Sequence, residues 1–304
     1  MSFARFIAWI KLGRYLFLGG GFVFFALGSS IAHYNGLTID VTRYILGQLI
    51  VTSTQLMVQY SNDYFDFQAD LANQTPTRWS GGSRILPSGQ LPPQIALYTA
   101  WGLGLIAISL SLLLATIESA SSLTILIITI AFALSWNYSG PPLRLHSHGL
   151  GEITAAIVVP VLTPMLAYSL QTDQIDSVVL LSVIPLALLQ FNMLLAVHLP
   201  DVEGDAAVGK RTFVVILGRD KTCRLYQMIL LAAYFVVPLL MIMGLPTAVG
   251  LSMVVPMPLA LWLFWRLQNG HGRIADHWDN IAFWTIGLLM GTGVLETLAY
   301  VLSS

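Results

Sequence analysis

The chain has 304 residues, of which 56% are hydrophobic and only 10% charged. A soluble domain carries roughly a quarter charged residues, so this composition excludes an ordinary soluble enzyme and, more firmly, a disordered chain. The formal charge of −1 excludes nucleic-acid binding driven by net positive charge, and one cysteine, Cys223, excludes an intrachain disulfide framework.

A membrane helix needs roughly 20 apolar residues. Nine such spans follow in chain order: Arg14–His33, Tyr44–Ser61, Gln94–Thr116, Ser121–Tyr138, Leu150–Leu170, Val178–Leu199, Leu225–Met243, Pro246–Arg266 and Ile281–Val301. The first follows Arg5, Lys11 and Arg14 as the apolar core of a signal peptide would. Eight further spans behind it favour an uncleaved helix. The expectation is an all-α polytopic bundle of nine transmembrane helices, forming a single domain over residues 1–304. With nine spans, loops on the N-terminal side hold 13 of the 14 basic residues and the other side holds only Arg43. The positive-inside rule then puts the N-terminus in the cytoplasm and the C-terminus outside the cell inner (plasma) membrane. Two long loops, Asn62–Pro93 and Pro200–Arg224, fall on the cytoplasmic side, where long loops in a compact protein usually carry function.

Both long loops begin with acids. After the second span, Asn62, Asp66 and Asp70 stand at i, i+4 and i+8, one face of a helix. After the sixth, Asp201 and Asp205 repeat the i, i+4 spacing. Carboxylates at that spacing repel one another, and near hydrocarbon an uncompensated charge costs several kcal/mol. A hard divalent cation resolves the conflict. Mg²⁺ takes oxygen ligands and is commonly shared between one or two carboxylates and substrate phosphates. Asn62, Asp66, Asp70, Asp201 and Asp205 are therefore the expected metal ligands, with a diphosphate held between the two rows. Lys210, Arg84 and Arg144 are the expected diphosphate contacts, and the Gly81-Gly82 pair would let backbone approach an anion. Asp63 is offset from the row and is expected to pair with a basic residue or cap the loop. Solvated helix ends and lipid-headgroup contacts are the plainer readings of the same residues.

These residues are similar to the UbiA superfamily of intramembrane aromatic prenyltransferases. The first motif of that family stands here as Asn62, Asp63, Asp66 and Asp70, the second as Asp201 and Asp205, and the nine spans agree with its topology. Pro200–Thr212, Tyr138–Pro142 and Gly149–Glu152 resemble the menaquinone branch, whose acceptor is 1,4-dihydroxy-2-naphthoate. Arg84–Leu91 departs toward the 4-hydroxybenzoate pattern. The resemblance implies Mg²⁺-dependent transfer from a polyprenyl diphosphate, bound among helices and membrane lipid, to an aromatic ring. In the naphthoate case the ring carbon bearing the carboxylate is prenylated with loss of CO₂. Within this scheme Tyr138 would shield an allylic cation, His198 would orient or deprotonate the acceptor hydroxyl, and Asn192, facing roughly the same side, would help bind the acceptor. Other acceptors (4-hydroxybenzoate, homogentisate, a tetrapyrrole), cyclisation of the prenyl chain, and cation-coupled transport are the competing readings. Transport would place acids at the bilayer midplane; here Glu296 is the main mid-span charge.

Overall fold

The computed structural model describes residues 3–304, which are helical with no strand among them. Helices α1 (Phe3–Leu12), α2 (Gly19–Tyr34), α3 (Val41–Phe65) and α4 (Phe67–Ala72) lead into α5 (Pro93–Thr116) and α6 (Ser122–Ser139). Then come α7 (Gly151–Ile157), α8 (Thr163–Thr172), α9 (Ser177–His198), α10 (Val202–Ala207) and α11 (Phe213–Leu217). The chain closes with α12 (Arg219–Ile242), α13 (Thr247–Val254), α14 (Met257–Gln268) and α15 (Ala275–Ser303).

Eight stretches of these helices are long and apolar enough to cross a membrane, against nine expected. The difference is α3. Its 25 residues are ample for a crossing, but Gln48, Thr52, Ser53, Thr54, Gln55 and Gln59 dilute its apolarity. The polar residues have somewhere to go: Gln55, Gln59 and Asn62 line an internal cavity while the rest of α3 packs on α5, α6 and α8. Elsewhere the lipid-type pattern is plain. Leu105, Leu112, Phe235 and Leu239 are all more than half exposed, on α5 and on the uncharged stretch of α12 after Arg224, an arrangement that water would penalise at roughly 1.5–3 kcal/mol per large apolar side chain.

Local chemistry sets the ends. Asp40 accepts from the backbone N–H groups of Thr42 and Arg43 to start α3, Asp176 starts α9, and Pro93 fits the first turn of α5, where an N–H would be unpaired anyway. Arg43, the basic residue that breaks the sequence's charge asymmetry, ties the rim away from the acids. Its guanidinium donates to the Leu170 and Glu118 carbonyls at 3.1 and 2.9 Å and pairs with Asp173.

The largest apolar core joins α2, α9, α12, α13, α14 and α15; a second joins α2, α3, α6 and α8, and a third α1, α3 and α5. A cavity of about 290 Å³ opens between these cores. Between α7 and α8 the backbone widens into a π-helical turn at Val158–Leu162, where Pro160 lacks an N–H and Thr163 Oγ1 donates to the Val158 carbonyl at 3.1 Å. Such turns are frequent beside functional sites, and Val158 and Val159 line the cavity wall.

Candidate active site

The two acidic segments are built alike. Each long helix ends, the chain kinks, and a short helix carries on the register. Asp66 caps α3, yet its N–H still bonds to the Asn62 carbonyl and the Asp70 N–H to that of Asp66, at 2.8 and 2.9 Å. The predicted row of Asn62, Asp66 and Asp70 therefore survives the break. After α9, a 3₁₀ turn at Leu199–Asp201 leads into α10 with Asp205.

Helices α4 and α10 pack against each other, and Gly204 is what allows it. A Cβ there would stand 3.0 Å from Asn73 Cα and 3.1 Å from the Ala69 carbonyl oxygen. Asn73 closes the contact by donating to Asp201 at 2.7 Å. Asn62, Asp66, Asp70, Asp201 and Asp205 all line the same cavity.

Lys210 stands between the two acidic segments. Its Nζ lies 2.9 Å from Asp66 Oδ2 and 3.3 Å from Asp205 Oδ1. His146 closes on the other oxygen of Asp66: Nε2 is 2.6 Å from Oδ1, while Nδ1 is 2.6 Å from the Tyr138 carbonyl. Burial alone would raise the Asp66 carboxyl, but Lys210 and then His146 outweigh it and hold it well below the usual range. Burial would lower Lys210; Asp66 and Asp205 hold its ammonium above the usual range. Asp70 lacks such partners. Burial, with Asp66, Asp63 and Asp201 adding repulsion, pushes it up to about 8.

The donor set fits a hard divalent cation. Asp205 Oδ2 is buried without a hydrogen-bond partner, and Asp70 has uncompensated negative neighbours that a cation would offset. Among the described residues no three His, Cys, Asp or Glu side chains are gathered tightly enough to hold one ion by themselves. Mg²⁺ needs few protein carboxylates and completes its shell with phosphate oxygens and water.

Two of the three expected basic residues lie elsewhere. Arg84 turns its guanidinium back to the Asp70 carbonyl, and Arg144 lies over the Phe65 ring at 5.8 Å; neither lines the cavity. Both have left-handed backbone, with φ at +62° and +44°. Arg14 lines the cavity instead, donating to the Trp79 carbonyl at 3.1 Å. Gly82 does support a close approach, but to the Asp70 carboxyl: with φ at +68°, a Cβ at Gly82 would stand 2.0 Å from Asp70 Oδ2. Asp63 points away from the row and accepts from the Ser83 N–H and hydroxyl.

Tyr138 lines the cavity, stacked on His146 with 5.3 Å between ring centroids. His198 lines it too, whereas Asn192 does not: it is fully buried and donates to the Tyr226 carbonyl at 3.1 Å, joining α9 to α12. Away from the acids the wall becomes apolar, with Phe24, Val159, Leu194, Leu289 and Met290. On α9 the lining runs from His198 back to Gln190, about 12 Å at 1.5 Å per residue. One chamber thus presents a charged, oxygen-rich mouth and a largely apolar wall behind it.

The family model for the UbiA prenyltransferase family matches residues 22–289. A 1,4-dihydroxy-2-naphthoate octaprenyltransferase of Bacillus subtilis (strain 168) is 26% identical over 239 residues, covering 79% of this chain and 73% of the relative. A 2-carboxy-1,4-naphthoquinone phytyltransferase of Synechocystis sp. (strain ATCC 27184 / PCC 6803 / Kazusa) is 24% identical over 170 residues, covering 56% of this chain and 55% of the relative. A solved UbiA homologue from Archaeoglobus fulgidus, bound to GPP and Mg²⁺, shares the fold with a TM-score of 0.63 at 14% identity, over 97% of this chain and 99% of that one. The family match spans most of the chain, and the helices and the relatives agree with it: this chain belongs to the UbiA prenyltransferase family, as a multi-pass membrane enzyme that transfers prenyl groups.

Proposed function

We propose that the protein transfers a polyprenyl group from polyprenyl diphosphate to 1,4-dihydroxy-2-naphthoate, with loss of CO₂, in menaquinone biosynthesis. The observation that carries the reading is the Asp66–Lys210–Asp205 bridge, which joins both acidic segments at the mouth of one apolar chamber. The names of the relatives support the naphthoate acceptor.

Asn62, Asp66, Asp70, Asp201 and Asp205 would hold Mg²⁺, whose Lewis-acid charge stabilises the departing diphosphate. Lys210 and Arg14 stand where they can donate to phosphate oxygens. The prenyl tail lies along Phe24, Leu289 and Met290. When the C1–O bond breaks, its electron pair leaves with the diphosphate, and the apolar wall keeps water from the allylic cation. Tyr138 presents a ring face to the same space. The naphthoate carbon bearing the carboxylate forms the new C–C bond, and the carboxylate departs as CO₂, returning its electron pair to the ring. Nine crossings, with α3 as the polar one, put the acids on the cytoplasmic side of the plasma membrane and the C-terminus outside.

Purified protein given Mg²⁺, geranylgeranyl diphosphate and 1,4-dihydroxy-2-naphthoate should yield the decarboxylated prenyl-naphthalenediol by mass spectrometry, and chelation should abolish it. Faster turnover of 4-hydroxybenzoate or homogentisate would refute the acceptor assignment.

A further inference from the structure

Glu152 is fully buried at the start of α7, on a helix that lies beside α9. Its Oε1 meets His198 Nδ1 at 3.0 Å and accepts the Phe213 backbone N–H at 3.1 Å. Two donors from separate segments thus fix the orientation of the carboxylate. An ionised carboxylate only accepts hydrogen bonds, so in the neutral His198 ring Nδ1 carries the proton and Nε2 the lone pair. Among the described residues Nε2 makes no hydrogen bond, and the ring lines the cavity. Lys210, Asp201 and Asp205 stand around the same ring, beyond Glu152.

The position of that lone pair is informative. His198 is the last residue of α9, three before Asp201, and Leu194 one turn earlier already belongs to the apolar wall. The ring therefore stands at the border between the charged mouth and the tail slot, where the reacting carbon of a prenyl diphosphate would lie. A deprotonated diphosphate has no proton to offer an acceptor nitrogen. A ring hydroxyl does.

Resting on the proposed aromatic transfer, we infer that Glu152 and His198 form a carboxylate–imidazole pair whose Nε2 accepts the acceptor hydroxyl adjacent to the carbon that is prenylated. His198 is the catalytic member and Glu152 a positioning residue that holds the tautomer. The proton passes from the ring oxygen to Nε2, and the freed electron density strengthens the neighbouring carbon as a nucleophile. That carbon bonds to prenyl C1 as the C–O bond to diphosphate breaks. CO₂ then leaves with its electron pair returned to the ring, and Nε2 gives the proton back to the oxygen. The histidine ends as it began, and no further reactant is required.

The test uses the full-length enzyme with Mg²⁺ and geranylgeranyl diphosphate, with 1,4-dihydroxy-2-naphthoate or its methyl ether at the hydroxyl beside the carboxylate. Glu152→Gln keeps an oxygen for both N–H donors but removes the charge, so its thermal unfolding and its affinity for the diphosphate substrate should stay within about twofold of wild type. Its kcat should fall about 10- to 100-fold, as for other carboxylates behind a functional histidine. His198→Leu should lower kcat about 10²- to 10⁴-fold, the range of general-base removal. It should also abolish the wild-type preference for the free hydroxyl over the methyl ether. An unchanged preference in His198→Leu, wild-type kcat in Glu152→Gln, or a parallel loss of diphosphate binding in both would overturn the pair. Wild-type enzyme that binds the diphosphate but prenylates no aromatic ring would overturn the underlying reading as well, which separates the two failures.

Discussion

Lys210 occupies the position of a counter-ion. Between Asp66 and Asp205 it cancels repulsion that the two carboxylates would otherwise feel, at 2.9 and 3.3 Å. With a metal-bound diphosphate present, the same ammonium can turn to phosphate oxygens. Replacing it separates the two duties. Lys210→Met should cut transfer about 10²- to 10³-fold, the usual loss of an electrostatic stabiliser of a leaving anion. It should also enlarge the rise in Tm on adding Mg²⁺, because the unneutralised carboxylates bind a cation more tightly and the folded state gains accordingly. A variant with a smaller Mg²⁺ shift than wild type would contradict this role. The acids were legible in the sequence because i, i+4 repetition of like charge has few physical excuses near a membrane. Of their partners, Lys210 was legible beside the second acidic pair and the others were not. Arg14 read as one more cytoplasmic charge, and His146 and Glu152 lie at a 3₁₀ turn and the helix start after it, where no periodicity marks a residue as facing the site. Arg84 and Arg144 stand off the cavity for a related reason: where a long guanidinium reaches depends on the loop path, and both loops fold it back onto the protein.

At the level of elements, the site depends on how closely α4 and α10 approach. The two helices belong to segments more than a hundred residues apart, and Gly204 is the point of contact. Gly204→Leu would drive a side chain into Asn73 and the Ala69 carbonyl. Overpacking of this kind costs about 1–3 kcal/mol, here spent on parting the acidic rows. The expected result is a fall of at least tenfold in kcat with the helical circular-dichroism signal retained. Unchanged turnover would mean that the rows need not touch. Helix α3 shows what apolarity alone conceals. Its length marked a span, but Gln55, Gln59 and Asn62 serve the cavity, so a segment central to the bundle scores as the least apolar of the long helices. The kinks after α3 and α9 were also invisible, since the backbone ladder and side-chain register run on through the first of them.

Across the whole molecule, charge and function coincide at one rim. The acids, Lys210 and Arg14 gather there, while the opposite rim is tied by Arg43. The proposed nine crossings make a definite statement about sides. In a Cys223→Ala background, Gln90→Cys should react with a membrane-impermeant maleimide only from the cytoplasmic face. Gln174→Cys and Ser304→Cys should react only from outside. Labelling of Ser304→Cys from the same side as Gln90→Cys would reduce the count to an even number and return α3 or another helix to a non-spanning role.

The central claim is that two separate acidic segments grip one diphosphate through magnesium. Calorimetric titration of geranylgeranyl diphosphate into detergent-solubilised wild type, Asp66→Ala and Asp201→Ala, with and without Mg²⁺, measures it directly. The account predicts tight binding only for wild type with Mg²⁺, at least a hundredfold loss in each variant, and little further loss when the two substitutions are combined, because each half of the clamp fails without the other. Mg²⁺-independent binding, or full affinity in either single variant, would contradict it.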